Sequence, residues 1–208
     1  DDEWGLRLAQ ESEVPVTTVS VFSHREADWT VRRINFDRAI PAVTFDLVTP
    51  QGNERHIRMP MLGEVNVQNA VVALVAALKL GCEFEAAVSA LEGAEQIPGR
   101  MTSVNPDPGA QPLVIVDFAH TPEGLDWTLK SVRELTRGKL VLVFGTDGDR
   151  DATKREPLAE IAAQLADVLW VTDENPRTED ASSIRQQLLN GIRRVRPDFH
   201  DVTEVTTC

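Results

Sequence analysis

The chain has 208 residues, of which 42% are hydrophobic and 5% aromatic, enough for one large or two modest domains with aliphatic cores. The formal charge is −12 at pH 7, and no run is rich in lysine and arginine. This argues against a nucleic acid or an anionic membrane as partner, because phosphate groups are bound by clustered positive charge. No apolar run approaches the roughly 20 residues of a membrane-spanning helix, so membrane insertion is not expected.

The two cysteines, Cys82 and Cys208, are far apart in the sequence and have no other thiol near them. They predict neither a disulfide framework nor a Cys-x-x-Cys metal or redox site, and they favour a reducing, cytoplasmic location. The chain begins without methionine and ends at Cys208 without a closing helix, so we expect it to be a fragment of a longer protein.

The first 62 residues predict a β-rich region with connecting loops. The candidate strands are residues 15–20, 30–34, 42–49 and 54–59. Residues 49–53, Thr-Pro-Gln-Gly-Asn, predict a tight turn that joins the last two strands into a hairpin.

A helical period begins at Asn66, which with Asn69 is a candidate N-cap, and ends at Gly81. A second helix is predicted over residues 83–91. Turn-forming residues then concentrate at 97–100 and at 105–112. We predict a domain boundary near residues 98–101, giving domains of residues 1–98 and 99–208, with residues 105–112 as a surface loop.

Three apolar runs in the second half each end in a polar cluster. They are residues 113–116, 140–144 and 168–172. Runs without polar alternation are typical of parallel strands covered on both faces. A segment of helical period follows each run. The first of these helices is predicted to begin with Thr121 as N-cap and Pro122 at the first helical position. An α/β fold is therefore predicted, with a mostly parallel sheet and all three polar clusters at its carboxyl edge, where such sheets bind ligands.

The first cluster contains Asp117 and His120. An aspartate at a strand end is suited to ribose hydroxyls, and a histidine beside it is suited to a phosphate. A plain loop or helix-cap arrangement explains the same residues equally well.

The other two clusters carry arginines. Residues 145–151 contain three aspartates around Arg150, which suits a metal or a ligand carboxylate, although the pattern is neither a calcium loop nor a Walker loop. Residues 174–177, Glu-Asn-Pro-Arg, offer an amide and a guanidinium, which suit a zwitterion with a free carboxylate. A solvated loop and an Asn-Pro turn remain the alternatives.

Several motifs together resemble the Mur ligases, in particular the branch that adds the third residue of the peptidoglycan stem peptide. They are Asn66-x-x-Asn69, Gly99-Arg100-Met101, residues 117–122 (Asp-Phe-Ala-His-Thr-Pro), residues 144–151 (Phe-Gly-x-x-Gly-Asp-Arg-Asp) and residues 172–177 (Thr-Asp-x-Asn-Pro-Arg). The resemblance implies the end of a Mur-type central ATP-binding domain, followed by a Rossmann-like C-terminal domain. The related folylpolyglutamate synthetases tend to carry His-Asn-Pro where this chain has His-Thr-Pro.

Roles for individual residues are implied by the same resemblance. Asn69 is expected at the adenine, Arg100 and His120 near the ATP phosphates, and Asp117 at the ribose. Arg150 and the tetrapeptide Glu174, Asn175, Pro176 and Arg177 are expected to bind the incoming amino acid. The family's tetrapeptide usually begins with Asp, where this chain has the longer Glu174.

The implied reaction is ATP-dependent addition of meso-diaminopimelate to UDP-N-acetylmuramoyl-L-alanyl-D-glutamate through an acyl phosphate, with ATP and Mg²⁺ as cofactors, in a cytoplasmic monomer. The family's phosphate-binding loop and carbamylated lysine are expected to precede Asp1, and its Gly-Lys-Gly-His-Glu segment to follow Cys208. We therefore assign no catalytic residue and no metal ligand within the chain, and we expect the 208 residues alone to be inactive.

Other functions remain open on the sequence. They are the same ligase activity with L-lysine or L-ornithine, and a non-catalytic nucleotide- or amino-acid-binding module. The Mur-like half of a cyanophycin synthetase is less favoured, because its motif would differ at Thr121. A Rossmann dehydrogenase is disfavoured because the chain lacks a Gly-x-Gly-x-x-Gly turn after a first strand.

Overall fold

The computed structural model describes residues 3–22, 26–37, 42–104, 112–198 and 200–206. Two compact units divide the chain, Asp1–Asp117 and Phe118–Cys208. The division falls later in the chain than the boundary predicted near residues 98–101. Most of the predicted loop at 105–112, and Cys208, lie outside the described residues. Within the described residues, no helix combines the length and apolar content needed to cross a bilayer.

The first unit contains a four-stranded sheet in the order β1-β2-β3-β4. Its strands are Val19–Ser20, Trp29–Asp37, Ala42–Val48 and Glu54–Met59. β1 pairs parallel with β2, and the other pairs are antiparallel. Hydrogen bonds from Thr49 N–H to Asn53 O and from Gly52 N–H to Thr49 O, both 2.9 Å, close the turn between β3 and β4. The predicted strands and their hairpin are thereby confirmed.

Three helices belong to the same unit: α1 (Glu3–Glu11), α2 (Glu64–Lys79) and α3 (Phe84–Glu92). The apolar face of α2 packs against the sheet in a core that includes Phe45, Leu47, Ile57, Val67 and Val71. The sequence predicted α2 and α3 but not α1. No residue of α1 is buried, so its amphipathic pattern does not mark a core-facing stripe.

The second unit contains helices α4 (Pro122–Leu135), α5 (Arg155–Leu165) and α6 (Ala181–Val195). A short 3₁₀ turn, Ala152–Lys154, leads into α5. Thr121 caps α4 as predicted, accepting a hydrogen bond from Gly124 N–H at 3.1 Å, with Pro122 at the first helical position. α5 packs against both α4 and α6, and the core includes Leu129, Leu158, Leu169, Leu188 and Ile192.

A parallel sheet of three strands completes this unit in the order β7 (Val141–Phe144), β8 (Val168–Val171), β9 (Val202–Glu204). The α/β class and the parallel pairing are as predicted. The third strand is β9, which the sequence analysis did not identify, because three residues ending in Thr-Glu carry too weak an apolar signal.

The first predicted parallel strand, residues 113–116, was wrongly assigned to this sheet. β6 (Ile115–Val116) pairs antiparallel with β5 (Thr102–Ser103), and Val104 N–H donates to Val114 O at 3.1 Å. The physical reason is local: β5 and β6 are close in sequence, and these two short strands pair with each other. An apolar run predicts a strand but does not specify its partner.

Burial on both faces was also a wrong expectation for the described part of the parallel sheet. Val141, Val143 and Trp170 are 54%, 63% and 42% exposed, while Phe144, Leu169 and Val171 are buried. Alternate residues of these strands thus face the helices. The apolar residues between them lie on the other face of the sheet, which no described residue covers. The composition of an apolar run therefore does not distinguish a strand covered on both faces from one covered on a single face.

Candidate functional site

The loops after β7 and β8 meet at the carboxyl edge of the parallel sheet. Gly148 N–H donates to Asn175 O at 2.8 Å, and Thr172 N–H donates to Phe144 O at 2.9 Å. These two bonds hold residues 145–151 against residues 172–179. The structure therefore brings together two of the three polar clusters predicted at this edge.

Two glycines allow the close approach of these loops. A Cβ atom at position 148 would lie 1.9 Å from Pro176 O, and one at position 145 would lie 2.5 Å from Thr172 O. Both distances are far inside van der Waals contact with backbone atoms. Glycine is thus a steric requirement at both positions, independent of its conformational freedom.

Strained backbone conformations occur in both loops. Asp149 has φ 53° and Arg177 has φ 51°, values that non-glycine residues seldom adopt. Side-chain hydrogen bonds support both: Asp149 Oδ1 accepts from Thr178 Oγ1 at 2.8 Å, and Asn175 Oδ1 accepts from Arg177 N–H at 3.3 Å. Strain of this kind persists where surrounding contacts impose it, and it is frequent at ligand sites.

The loops carry cationic and amide groups that are accessible to a ligand. Arg150 is exposed and forms no hydrogen bond or ion pair with any residue that the structure describes. Arg177 is also exposed, and its Nη2 lies 3.6 Å from Asp147 Oδ2, too long for a strong pair. Asn175 uses its backbone carbonyl for Gly148 and remains exposed. This set suits a small ligand with a carboxylate.

Glu174 adds a carboxyl group whose acidity is altered. Glu174 is exposed, but neighbouring atoms partly desolvate its carboxyl group and raise its pKa, and the charge of Asp147 raises the pKa further. The charges of Lys154 and His120 oppose this shift. Perturbed carboxyl groups of this kind occur often at functional sites. Beside the arginines, Glu174 offers an acceptor for an amine.

His120 is the predicted residue of the first cluster that belongs to the second unit. Its Nδ1 lies 3.1 Å from Phe118 O, and its ring meets the Phe118 ring edge-on at a centroid distance of 5.1 Å. The side chain is exposed, and its charge influences Glu174. These contacts fix its orientation near the loops of the sheet.

The remaining predicted residues gather in the first unit around the turn at Arg100 and Met101. Asp117 Oδ2 accepts a hydrogen bond from Met101 N–H at 2.8 Å. Asn66, buried near the start of α2, donates from Nδ2 to Leu62 O at 2.7 Å and to Arg100 O at 3.4 Å. These bonds bring Asn66, Arg100 and Asp117 into one neighbourhood.

The capping role predicted for Asn66 or Asn69 is wrong. Gly63 is the N-cap of α2, without a side-chain hydrogen bond, and its φ of 90° suits glycine. The helix starts two residues before Asn66, so the Asn66 amide donates to carbonyl groups instead of accepting from N–H groups. Asn69 lies one helical turn further along α2 and is exposed.

Three of the predicted residues in the first unit carry polar groups. Asn69 provides an exposed amide, Asp117 a carboxylate and Arg100 an exposed guanidinium, which are the group types that meet a base, a ribose and phosphates. No three His, Cys, Asp or Glu side chains converge as a metal site would require, within the described part of the chain.

Sequence reasoning missed the residues that hold the second-unit loops together. Asp149, Thr178, Glu179 and Arg155 form a connected set of hydrogen bonds there. Arg155 is the first residue of α5 and its side chain is 1% exposed. The sequence offered little to identify Arg155, because an arginine at a helix start of Lys-Arg-Glu-Pro normally lies in a solvated first turn.

The second unit thus holds two interlocked loops with exposed arginine and amide side chains, and the first unit holds a separate neighbourhood of amide, carboxylate and guanidinium groups. Residues 99–207 match the Mur ligase glutamate ligase domain, and residues 1–77 match the Mur ligase middle domain. The chain therefore belongs to the Mur ligase family.

Individual relatives agree with this assignment. The chain is 41% identical to a UDP-N-acetylmuramyl-tripeptide synthetase of Leifsonia xyli, covering 100% of this chain and 41% of that protein. It is 37% identical to a UDP-N-acetylmuramoyl-L-alanyl-D-glutamate–2,6-diaminopimelate ligase of Streptomyces avermitilis, covering 94% and 38%. The chain thus spans about two fifths of the length of these curated relatives.

Solved structures show the same similarity. A structure of a UDP-N-acetylmuramoyl-L-alanyl-D-glutamate–2,6-diaminopimelate ligase matches with a TM-score of 0.56 and 31% identity, covering 98% of this chain and 40% of that one. A UDP-N-acetylmuramate-alanine ligase from Thermotoga maritima matches with a TM-score of 0.69 and 21% identity, covering 92% and 39%. The latter supports the fold alone.

Proposed function

We propose that this chain supplies the amino-acid site, and part of the nucleotide site, of a ligase that adds meso-diaminopimelate to UDP-N-acetylmuramoyl-L-alanyl-D-glutamate. The observation that carries the proposal is the pair of interlocked loops that present Arg150, Arg177 and Asn175 beside Glu174. Two guanidinium groups and an amide recognise carboxylates, and the Glu174 carboxylate recognises an amine.

Diaminopimelate carries two amino-acid heads, whereas L-lysine and L-ornithine carry only one. A site with two arginines is suited to the ligand with two carboxylates, because each guanidinium then forms a charge-assisted hydrogen bond. The diaminopimelate ligases among the relatives support this choice.

The proposed reaction forms one amide bond. ATP phosphorylates the D-glutamyl carboxylate to give an acyl phosphate and ADP, the amine of the amino acid attacks the acyl carbon, and inorganic phosphate leaves. The contribution of this chain is to orient the amino acid, with Arg150, Asn175 and Arg177 at its carboxylates and Glu174 at an amine. Pro176 fixes the backbone between the last two.

The nucleotide contacts are also proposed. Asn69 would meet the adenine, Asp117 the ribose, and Arg100 the phosphates. His120 is proposed separately as a phosphate contact. Magnesium accompanies ATP and neutralises phosphate charge when it is bound. In this role the protein acts as a monomer in the cytoplasm.

Calorimetric titration of the chain with meso-diaminopimelate, L-lysine and L-ornithine tests the proposal. We expect diaminopimelate to bind about 10-fold or more tightly than lysine, because one charge-assisted hydrogen bond is worth about 1.5–3 kcal/mol. Arg150→Ala and Arg177→Gln should each remove this preference. Glutamine is used at 177 because it keeps the methylene stem of the side chain and a polar end group while removing the charge.

Arg137→Ala is the matched control, since Arg137 is an exposed arginine outside both loops, and it should bind as the unsubstituted chain does. If lysine or ornithine bound more tightly than diaminopimelate, that amino acid would become the proposed substrate. A folded chain that binds none of the three would overturn the amino-acid site, and retained nucleotide binding would then favour a non-catalytic nucleotide module.

A further inference from the structure

Arg155 is the largest fully buried side chain among the described residues, and it connects three segments of the second unit. Its Nη1 donates to Glu179 Oε2 at 2.9 Å and to Gln187 Oε1 at 3.1 Å. Its Nη2 donates to Glu179 Oε1 at 2.8 Å and to Asp147 O at 3.1 Å. One guanidinium thus joins the loop after β7, the loop after β8, and α6.

The same network continues to the residues on either side of Arg150 and Arg177. Glu179 Oε1 accepts from Asp149 N–H at 2.6 Å, and the Asp149 carboxylate accepts from Thr178 N–H at 3.1 Å. Asp149 directly precedes Arg150, and Thr178 directly follows Arg177. The positions of the two exposed arginines are therefore tied to each other through Arg155 and Glu179.

Both partners of the central ion pair stay charged at neutral pH. Hydrogen bonding to Glu179 raises the pKa of Arg155, and hydrogen bonding from Arg155 lowers the pKa of Glu179 to about 2. An ion pair with a buried member contributes little net stability compared with apolar residues of similar volume, because desolvation offsets the attraction. Glu179 is 32% exposed, and Arg155 Nε has no hydrogen-bond partner among the described residues. The pair is therefore better explained by the positions it gives the two loops than by a gain in stability.

We propose that Arg155 is a positioning residue: buried beneath the two loops, it fixes the spacing of Arg150 and Arg177 so that both reach one amino-acid ligand. The proposal rests on the proposed amino-acid site. Because its side chain is 1% exposed, Arg155 acts through these loops and does not touch the ligand itself.

The decisive variant is the double substitution Arg155→Met/Glu179→Met. Arg155 is buried and Glu179 is 32% exposed, and removing both leaves no unpaired charge, so the unfolding midpoint should stay near that of the unsubstituted chain. The dissociation constant for meso-diaminopimelate should nevertheless rise about 10- to 100-fold, the effect of a misplacement near 1 Å. A purely structural role predicts recovery of stability and affinity together.

Arg155→Lys provides a second measurement that does not depend on folding of the double variant. It keeps the buried charge but cannot form the planar fork that reaches Glu179 and Asp147 O together. We expect it to remain folded and to show the same loss of affinity. Arg194→Met is the matched control, because Arg194 joins α6 to Glu160 of α5 at 3.0 Å without contacting either loop.

Three results separate the possible failures. Wild-type affinity in the folded double variant, or in Arg155→Lys, overturns the positioning role and leaves the amino-acid site intact. Equal loss of affinity in Arg194→Met also overturns it, since any arginine between the helices would then have the same effect. Absence of diaminopimelate binding in the unsubstituted, folded chain overturns the proposed function and this role with it.

Discussion

Glu174 is the residue whose chemistry is most sensitive to pH in the proposed amino-acid site. Loss of water around its carboxyl group raises its pKa above the ordinary 4.5, with Asp147 adding to the shift. An ammonium group on the ligand needs the ionised form. Affinity for diaminopimelate should therefore fall as the pH is lowered through the raised pKa, before ordinary carboxylates titrate. Calorimetric titrations between about pH 4.5, the ordinary pKa of a glutamate, and about pH 8 measure this change in affinity.

Glu174→Gln separates binding from stability. The folded protein holds the Glu174 proton more tightly than the unfolded chain does, so ionisation of Glu174 opposes folding above about pH 4.5. The variant should keep or gain stability at pH 7 while it loses affinity and the pH dependence. Glu95→Gln, at an exposed loop position, should change neither. Unchanged affinity in Glu174→Gln would remove Glu174 from the site.

Helices α5 and α6 lie in close contact at Gly191. A Cβ atom there would lie 2.5 Å from Glu156 O and 2.9 Å from Ala159 Cβ. Alanine normally stabilises a helix relative to glycine by about 0.5–1 kcal/mol. Here we expect Gly191→Ala to destabilise the chain by about 1–3 kcal/mol, because overpacking against backbone exceeds that gain. Chemical denaturation of the variant measures the difference.

Gly138→Ala is the matched control for this prediction. No heavy atom lies within 4 Å of a Cβ built at Gly138, and its φ is not positive. The substitution should be neutral or slightly stabilising. If Gly191→Ala were equally neutral, α5 and α6 would have to be further apart than described. The contact between α5, which carries Arg155, and α6 would then be looser.

For the molecule as a whole, the balance of charge makes acid the condition that destabilises it most directly. Hydrogen bonds lower the pKa values of several carboxyl groups, namely Asp28, Asp46, Glu83, Asp151, Asp167, Glu179 and Asp180. Each contributes stability above its unfolded value and loses that contribution as the pH falls through its folded value. Denaturation midpoints should decline steadily from about pH 4.5 to about pH 2.

Asp180→Asn tests one group in this set. Hydrogen bonds from Ser182 and Ser183 lower the pKa of Asp180 from 3.8 to about 2, and its side chain caps α6. Asparagine keeps a good cap but cannot titrate. The variant should be less stable than the unsubstituted chain at pH 7, and the difference should become much smaller as the pH falls to about 2. A difference that persists unchanged at pH 2 would show that the charge is not responsible.

Local sequence signals were sufficient to predict most of the helices and strands and to place the two polar loops at one edge of the parallel sheet. The bounds of β4, the turn at Thr49–Asn53 and the cap at Thr121 follow from residue types in short windows. The meeting of the loops after β7 and β8 follows from parallel strand order. The partner of β6 and the exposed sheet face did not follow, because strand pairing and coverage depend on residues distant in sequence.

The candidate site shows the same division. The exposed Arg150 and Arg177 could be identified from motifs, since such groups follow strand ends directly. The connections among Arg155, Glu179 and Asp149 could not, because they are tertiary hydrogen bonds between segments distant in sequence. The Asn66 amide is a similar case: its type predicted a cap, while its position within α2 turned it into a donor.

The missing side chain at Gly148, which allows Pro176 O to approach, has a consequence for protein engineering. The two loops form one interchangeable module, because neither can adopt its conformation unless the other is shaped to receive it. Exchange of residues 145–151 alone, to alter which amino acid is selected, would create a mismatch with residues 172–179. A graft intended to transfer selectivity between ligases must therefore carry both loops together with the arginine beneath them.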